Sequence, residues 1–176
     1  LNEAKEQKVD VQRLRQFAIY ELLLARIFAI FQEEAILKGG IALALRNPEA
    51  RTTKDVDLSL KGNPNTTAAK LSQVGMLELS DYFTFTLKID SRHPEIVAEG
   101  LPYPGKRFRA EAFLAGKIYG SGFGVDIVFS EPTLRTADLW QKKSVFDFAQ
   151  IEGPVIRICP VEVHLAEKLH AYTQPR

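Results

Sequence analysis

The segment Asp55-Val56-Asp57-Leu58-Ser59-Leu60 alternates with the period of a strand, so Asp55 and Asp57 leave the backbone on the same side. At a rise of about 3.3 Å per residue, their Cα atoms stand roughly 6.5 to 7 Å apart. Two like charges so close need a counter-charge. Magnesium suits them, because it takes carboxylate and water oxygens and is usually held by one or two carboxylates plus substrate phosphates. A two-metal arrangement clamps the attacking and leaving oxygens of an in-line displacement between ions about 3.5 to 4 Å apart, and it needs a third carboxylate. Asp126 is the best candidate, since a charge flanked by Val125, Ile127 and Val128 is costly in a central strand unless it is paired or holds a metal. The expected metal ligands are therefore Asp55, Asp57 and Asp126.

An Asp-x-Asp pair alone is more often a solvated strand face than a metal site, so the upstream context carries weight. Ala35-Ile36-Leu37-Lys38 is a short apolar run closed by Gly39-Gly40, and Ile41 to Arg46 has the Ala and Leu content of a helix. A glycine pair between strand and helix lets the backbone approach a ligand closely. It also presents free N–H groups at a helix N-terminus, where phosphate is favoured. Lys38 borders this turn. Arg51, Thr53 and Lys54 lie in the loop before Asp55, where a cation or hydroxyl can meet a phosphate, although loops before strands are often charged. Lys106-Arg107-Phe108-Arg109 and Gln141-Lys142-Lys143 are small basic clusters, as readily solvated strand ends as parts of a nucleic-acid groove. His164 and His170 are six apart, not at the spacing of a helical zinc pair, and Cys159 is the lone cysteine, so no zinc site is expected. Trp140 and the phenylalanines are expected in the core.

The elements that would position these residues begin with a helix over about 11–31, in which Leu14, Phe17, Leu24, Phe28 and Phe31 recur at helical spacings, with Arg13, Arg15, Glu21 and Arg26 between them. After the strand, glycine turn and helix, Pro48 breaks the chain before the Asp-x-Asp strand. A short helix is expected over 68–74, and strands over 83–90, 107–114, 124–130 and 155–159, the last closed by Pro160. A final helix runs from Val161 to Tyr172. Helices at both ends and strands between them give an α+β domain built on one mixed sheet. The length of 176 residues, 45% of them hydrophobic, suits a single domain over 1–176. A net charge of +1 leaves any grip on nucleic acid to local clusters. One cysteine and no apolar run long enough to cross a bilayer favour a reducing, soluble compartment, hence the cytoplasm.

Leu37-Lys38-Gly39-Gly40-Ile41-Ala42-Leu43-Ala44-Leu45-Arg46, followed by Arg51-Thr52-Thr53-Lys54-Asp55-Val56-Asp57-Leu58, resembles the AbiEii/AbiGii toxin family. This family, which includes the MenT-type toxins, is a branch of the polymerase-beta-type nucleotidyltransferases. Pro160 to Ala171, through Glu167-Lys168-Leu169, resembles the family's helix bearing a functional lysine. The resemblance implies a nucleotidyltransferase-like mixed sheet flanked by helices and a toxin of a toxin–antitoxin or phage-defence system. It also implies magnesium, an NTP substrate, a cognate antitoxin protein, and in some members nucleotide addition to the 3′ end of tRNA. It carries over Asp55 and Asp57 as metal ligands, Gly39 and Gly40 as the phosphate turn, and Lys168 as a phosphate-contacting cation. The superfamily's Gly-Ser turn is Gly39-Gly40 here, which removes a hydroxyl contact. Family members continue past the lysine helix into a further helix with an acidic residue, so truncation at the C-terminus is an expectation. Two alternatives stay open: a protein or small-molecule hydroxyl as acceptor, and an inactive module that binds an antitoxin or nucleic acid.

Overall fold

The computed structural model describes residues 11–47, 50, 53–96, 105–129, 137–141 and 143–173. Helix α1 (Val11–Phe31) turns Ile19, Leu23, Ile27 and Phe31 into the core, and a 3-10 turn leads into strand β1 (Ala35–Lys38). Helix α2 (Gly39–Arg46) starts on the first glycine, and strand β2 (Asp55–Leu60) returns antiparallel to β1. Helix α3 spans Pro64–Met76 and leads to strands β3 (Phe83–Ile89), β4 (Glu95–Ile96), β5 (Gly105–Leu114) and β6 (Lys117–Phe129). Strands β7 (Asp138–Trp140) and β8 (Ile156–Ile158) precede helix α4 (Val161–Thr173).

Eight strands form one mixed sheet in the order β3-β5-β6-β2-β1-β8-β7, with β4 beside β5. The β2–β6 and β1–β8 pairs are parallel and the others antiparallel. The α+β expectation holds, with four α-helices among the described residues. Alternation assigns the two sheet faces different jobs. Leu37, Val56, Leu58, Phe108, Val125 and Ile127 join the side chains of α1 in the hydrophobic core. Lys38, Asp57, Arg107 and Asp126, each one residue out of phase with that set, belong to the other face.

Several elements depart from the sequence expectation. Helix α3 begins at Pro64, whose fixed φ suits a first helical turn, and runs on to Met76. Strand β6 begins at Lys117, well before Gly124, because Ala115 and Gly116 both take positive φ (48° and 79°) and close a two-residue hairpin with β5. Arg26, placed by periodicity on the polar side of α1, is fully buried. Its guanidinium donates to both oxygens of Asp81 at 2.6 and 2.8 Å and to the carbonyls of Leu77 and Phe83. Trp140 packs against the core as expected, but Phe148 is 79% exposed. No helix among the described residues is long and apolar enough to cross a membrane.

Candidate active site

Strand register brings together what the sequence holds far apart. Lys38 stands opposite Asp57 across β1–β2, Asp57 opposite Asp126 across β2–β6, and Asp126 opposite Arg107 across β5–β6. Four neighbouring strands thus lay a row of charges, plus, minus, minus, plus, across one face of the sheet, at the strand spacing of about 4.8 Å. Asp55 lies two residues before Asp57 on the same face, opposite Gly124.

The glycines are fixed by these carboxylates. Gly39 has φ +66°, and a Cβ there would fall 1.8 Å from Asp57 Oδ2, so the turn admits only glycine. The Gly40 N–H donates to the Asp57 carboxylate, and a Cβ on Gly40 would lie 2.8 Å from Thr53. A Cβ on Gly124 would come within 2.4 Å of Asp55 Oδ1. Gly124 therefore makes room for Asp55, a role that its place at the start of an apolar run did not reveal. The Tyr20 hydroxyl donates to Thr53 O at 3.3 Å, tying the loop before β2 to α1, and burial pushes its pKa up to about 12.

The electrostatics of Asp57 are strongly perturbed. Burial raises its pKa from 3.8 to about 6, the charges of Asp126 and Asp55 push the same way, and the Gly40 N–H and Lys168 oppose them. Asp126 meets Arg107 in a bidentate pair at 2.7 and 2.6 Å, which holds Arg107 well above its usual pKa. Sequence reasoning grouped Arg107 with a basic cluster; its pairing depends on a partner strand the sequence does not specify. Phe108 is buried in the core, so it is no stacking platform.

A cleft of about 540 Å³ opens on this face, lined by Lys38, Gly39, Gly40, Thr53, Asp57, Asp126 and Lys168, with His164 and Glu167 beside them. That volume lies within the range of small-molecule sites. Lys38 pairs with Glu167 of α4 at 2.5 Å, linking the first strand to the lysine helix. Burial, and then the charge of Lys168, lowers the pKa of His164, and its Nδ1 has no partner among the described residues. Asp55 and Lys54 are exposed outside the lining of the cleft, and Arg51 and Lys142 lie outside the described residues. Lys143 pairs with Asp147.

The donor set fits magnesium in chemistry. Asp55 and Asp57 supply hard oxygens, and the pKa of Asp57, raised first by burial and then by the charges of Asp126 and Asp55, marks an ionised carboxylate that a divalent cation would stabilise. Among the described residues no three His, Cys, Asp or Glu side chains converge as a finished metal cage. Both oxygens of the expected third ligand, Asp126, are held by Arg107.

The mixed sheet flanked by helices matches the fold of a solved nucleotidyltransferase toxin, and in this chain the glycine turn lies against the carboxylate pair. The family model of the nucleotidyl transferase AbiEii toxin, type IV toxin–antitoxin system, matches residues 22–176, and the chain belongs to that family. Among solved structures, it is similar to MenT4, a nucleotidyltransferase toxin of Mycobacterium tuberculosis H37Rv, at TM-score 0.63 and 14% identity over 96% of this chain and 57% of that one. It is also similar to JHP933 of Helicobacter pylori, at TM-score 0.54 and 14% identity over 91% of this chain and 57% of that one. The chain thus spans under three fifths of the length of either. No match is found among curated proteins.

Proposed function

We propose that this chain is the catalytic core, one unit over residues 1–176, of a magnesium-dependent toxin that transfers a nucleotide from an NTP to an acceptor hydroxyl, with the 3′ end of tRNA as the acceptor. The observation that supports it best is the row Lys38–Asp57–Asp126–Arg107 beside the Gly39-Gly40 turn, a cluster of unlike charges of which Lys38, Asp57 and Asp126 line a nucleotide-sized cleft. Asp55 and Asp57 would hold magnesium, which when bound neutralises phosphate charge and makes an acceptor hydroxyl easier to deprotonate. Asp126 is the further carboxylate available to it. The turn before α2 offers backbone N–H groups to phosphate oxygens. Lys168 lies close enough to act on Asp57, so its ammonium can offset the charge that builds on the triphosphate as the acceptor oxygen attacks the α-phosphorus and pyrophosphate leaves in line. Thr53 and Lys38 line the same cleft and are assigned to nucleotide contact, with Arg51 and Lys54 in the adjoining loop. Catalysis by such a site is positioning plus charge neutralisation. An antitoxin partner follows from the type of system the family belongs to, and NTP and tRNA substrates are consistent with a cytoplasmic protein.

The test incubates the protein with each α-labelled NTP, magnesium and total cellular RNA, then resolves the products on a denaturing gel. Label on tRNA that a 3′ exonuclease removes is the expected result, and the nucleotide that gives it is the preferred one. Label on protein, or on no macromolecule, would overturn the tRNA assignment.

A further inference from the structure

Arg107 holds both oxygens of Asp126, at 2.7 and 2.6 Å. Register enforces the pair, because the two residues stand opposite each other across β5–β6 with side chains on one face. The Arg107 side chain is 38% exposed and that of Asp126 only 15%, so the carboxylate is the fixed partner and the guanidinium the one with room to leave. Fork-to-fork pairing takes one lone pair on each oxygen and offsets the carboxylate's charge, and a metal ion would compete for both. Ligation by Asp126 and the ion pair are therefore competing states. A triphosphate in the cleft that Asp126 lines would bring its own negative charge, for which a guanidinium is a suitable partner.

We propose that Arg107 is a positioning residue that keeps Asp126 closed to metal until a nucleoside triphosphate draws its guanidinium away, so that metal and nucleotide bind cooperatively. This inference rests on the metal-dependent reading above and adds an order to it: Asp126 becomes a ligand only with nucleotide present. Coupling of this kind is reciprocal, so each ligand raises the affinity for the other by the same factor.

The test measures Mn²⁺ binding by calorimetry to metal-stripped protein, with and without an α,β-methylene NTP that cannot be turned over. The proteins are wild type, Arg107→Gln, Arg107→Lys and Asp57→Asn. Without nucleotide, Arg107→Gln is expected to bind Mn²⁺ between about five- and twenty-fold more tightly than wild type, the range for losing a charged, part-exposed competitor. Arg107→Lys, which keeps the charge but can engage only one oxygen well, should fall between them and guards against misfolding of the glutamine variant. The analogue should tighten Mn²⁺ binding to wild type and do so much less in Arg107→Gln. Equal or weaker Mn²⁺ binding by both variants, with Asp57→Asn still abolishing it, would overturn the role of Arg107 while leaving the metal site standing. Failure of wild type and both Arg107 variants to bind Mn²⁺ would overturn the metal reading and this inference together.

Discussion

Replacing Asp57 by Asn should make the metal-free protein more stable at neutral pH while removing the group on which its chemistry depends. The carboxylate is half-buried between Asp55 and Asp126, and its pKa in the folded chain is raised from 3.8 to about 6. That difference is worth roughly 3 kcal/mol of ionisation free energy. Because the folded pKa lies above the unfolded one, the folded state binds the proton more tightly. The contribution is therefore fully present below about pH 4 and is lost as the pH rises through about 6. An amide carries no such loss, and its oxygen can still accept the Gly40 N–H. Allowing for partial exposure, the variant should gain about 1 to 3 kcal/mol over wild type at pH 7 to 8, and nothing below pH 4. Urea unfolding of both proteins across pH 3.5 to 8 in the presence of a chelator reads this directly. A variant no more stable than wild type at pH 8, or a gain that persists unchanged at pH 3.5, would refute the reasoning.

Gly39→Ala should cost at least about 2 kcal/mol in a urea titration, since it combines a left-handed backbone with a Cβ 1.8 Å from Asp57 Oδ2; a cost below about 0.5 kcal/mol would mean the turn is not constrained. Gly124→Ala should leave the urea midpoint nearly unchanged, because the added Cβ meets the end of the exposed Asp55 side chain, which can swing away, yet should raise the magnesium concentration needed for half-maximal nucleotide transfer. Asp81→Ala strands the fully buried guanidinium of Arg26 and should destabilise the fold by about 3 to 5 kcal/mol, read by thermal or urea unfolding. Lys168→Ala should lower the rate of nucleotide transfer with little effect on stability, as its side chain is exposed on α4.

Local signals carried far along this chain. The amphipathic period of α1, the apolar run ending in Gly39-Gly40, the alternation from Asp55 to Leu60 and the final lysine helix all appear where their residues imply, because each is set by neighbours within a few positions. The site was legible as an inventory of residues but not as an arrangement. Asp57 meets Asp126, and Asp126 meets Arg107, only through the register of strands that are distant in sequence. No periodicity encodes that register, and so the sequence shows Arg107 only as one member of a basic cluster. Ala115-Gly116 lacks the Asn-Gly or Asp-Gly signature of a two-residue hairpin, which hid the first half of β6. Arg26 was misplaced because periodicity sorts residues by polarity. Burial of an arginine depends on a partner such as Asp81, which the helix pattern does not contain. The short strands β4 and β7 are held by pairing with β5 and β8, not by any propensity of their own.

The most direct measurement of whether the carboxylate row performs nucleotide transfer compares wild type and Asp57→Asn for label transferred from an α-labelled NTP to tRNA at pH 8 with magnesium. Wild type should label the RNA, and the variant should be at least about a hundred-fold slower although it resists urea better, which separates lost chemistry from lost folding. Equal transfer by the two proteins would contradict the central claim.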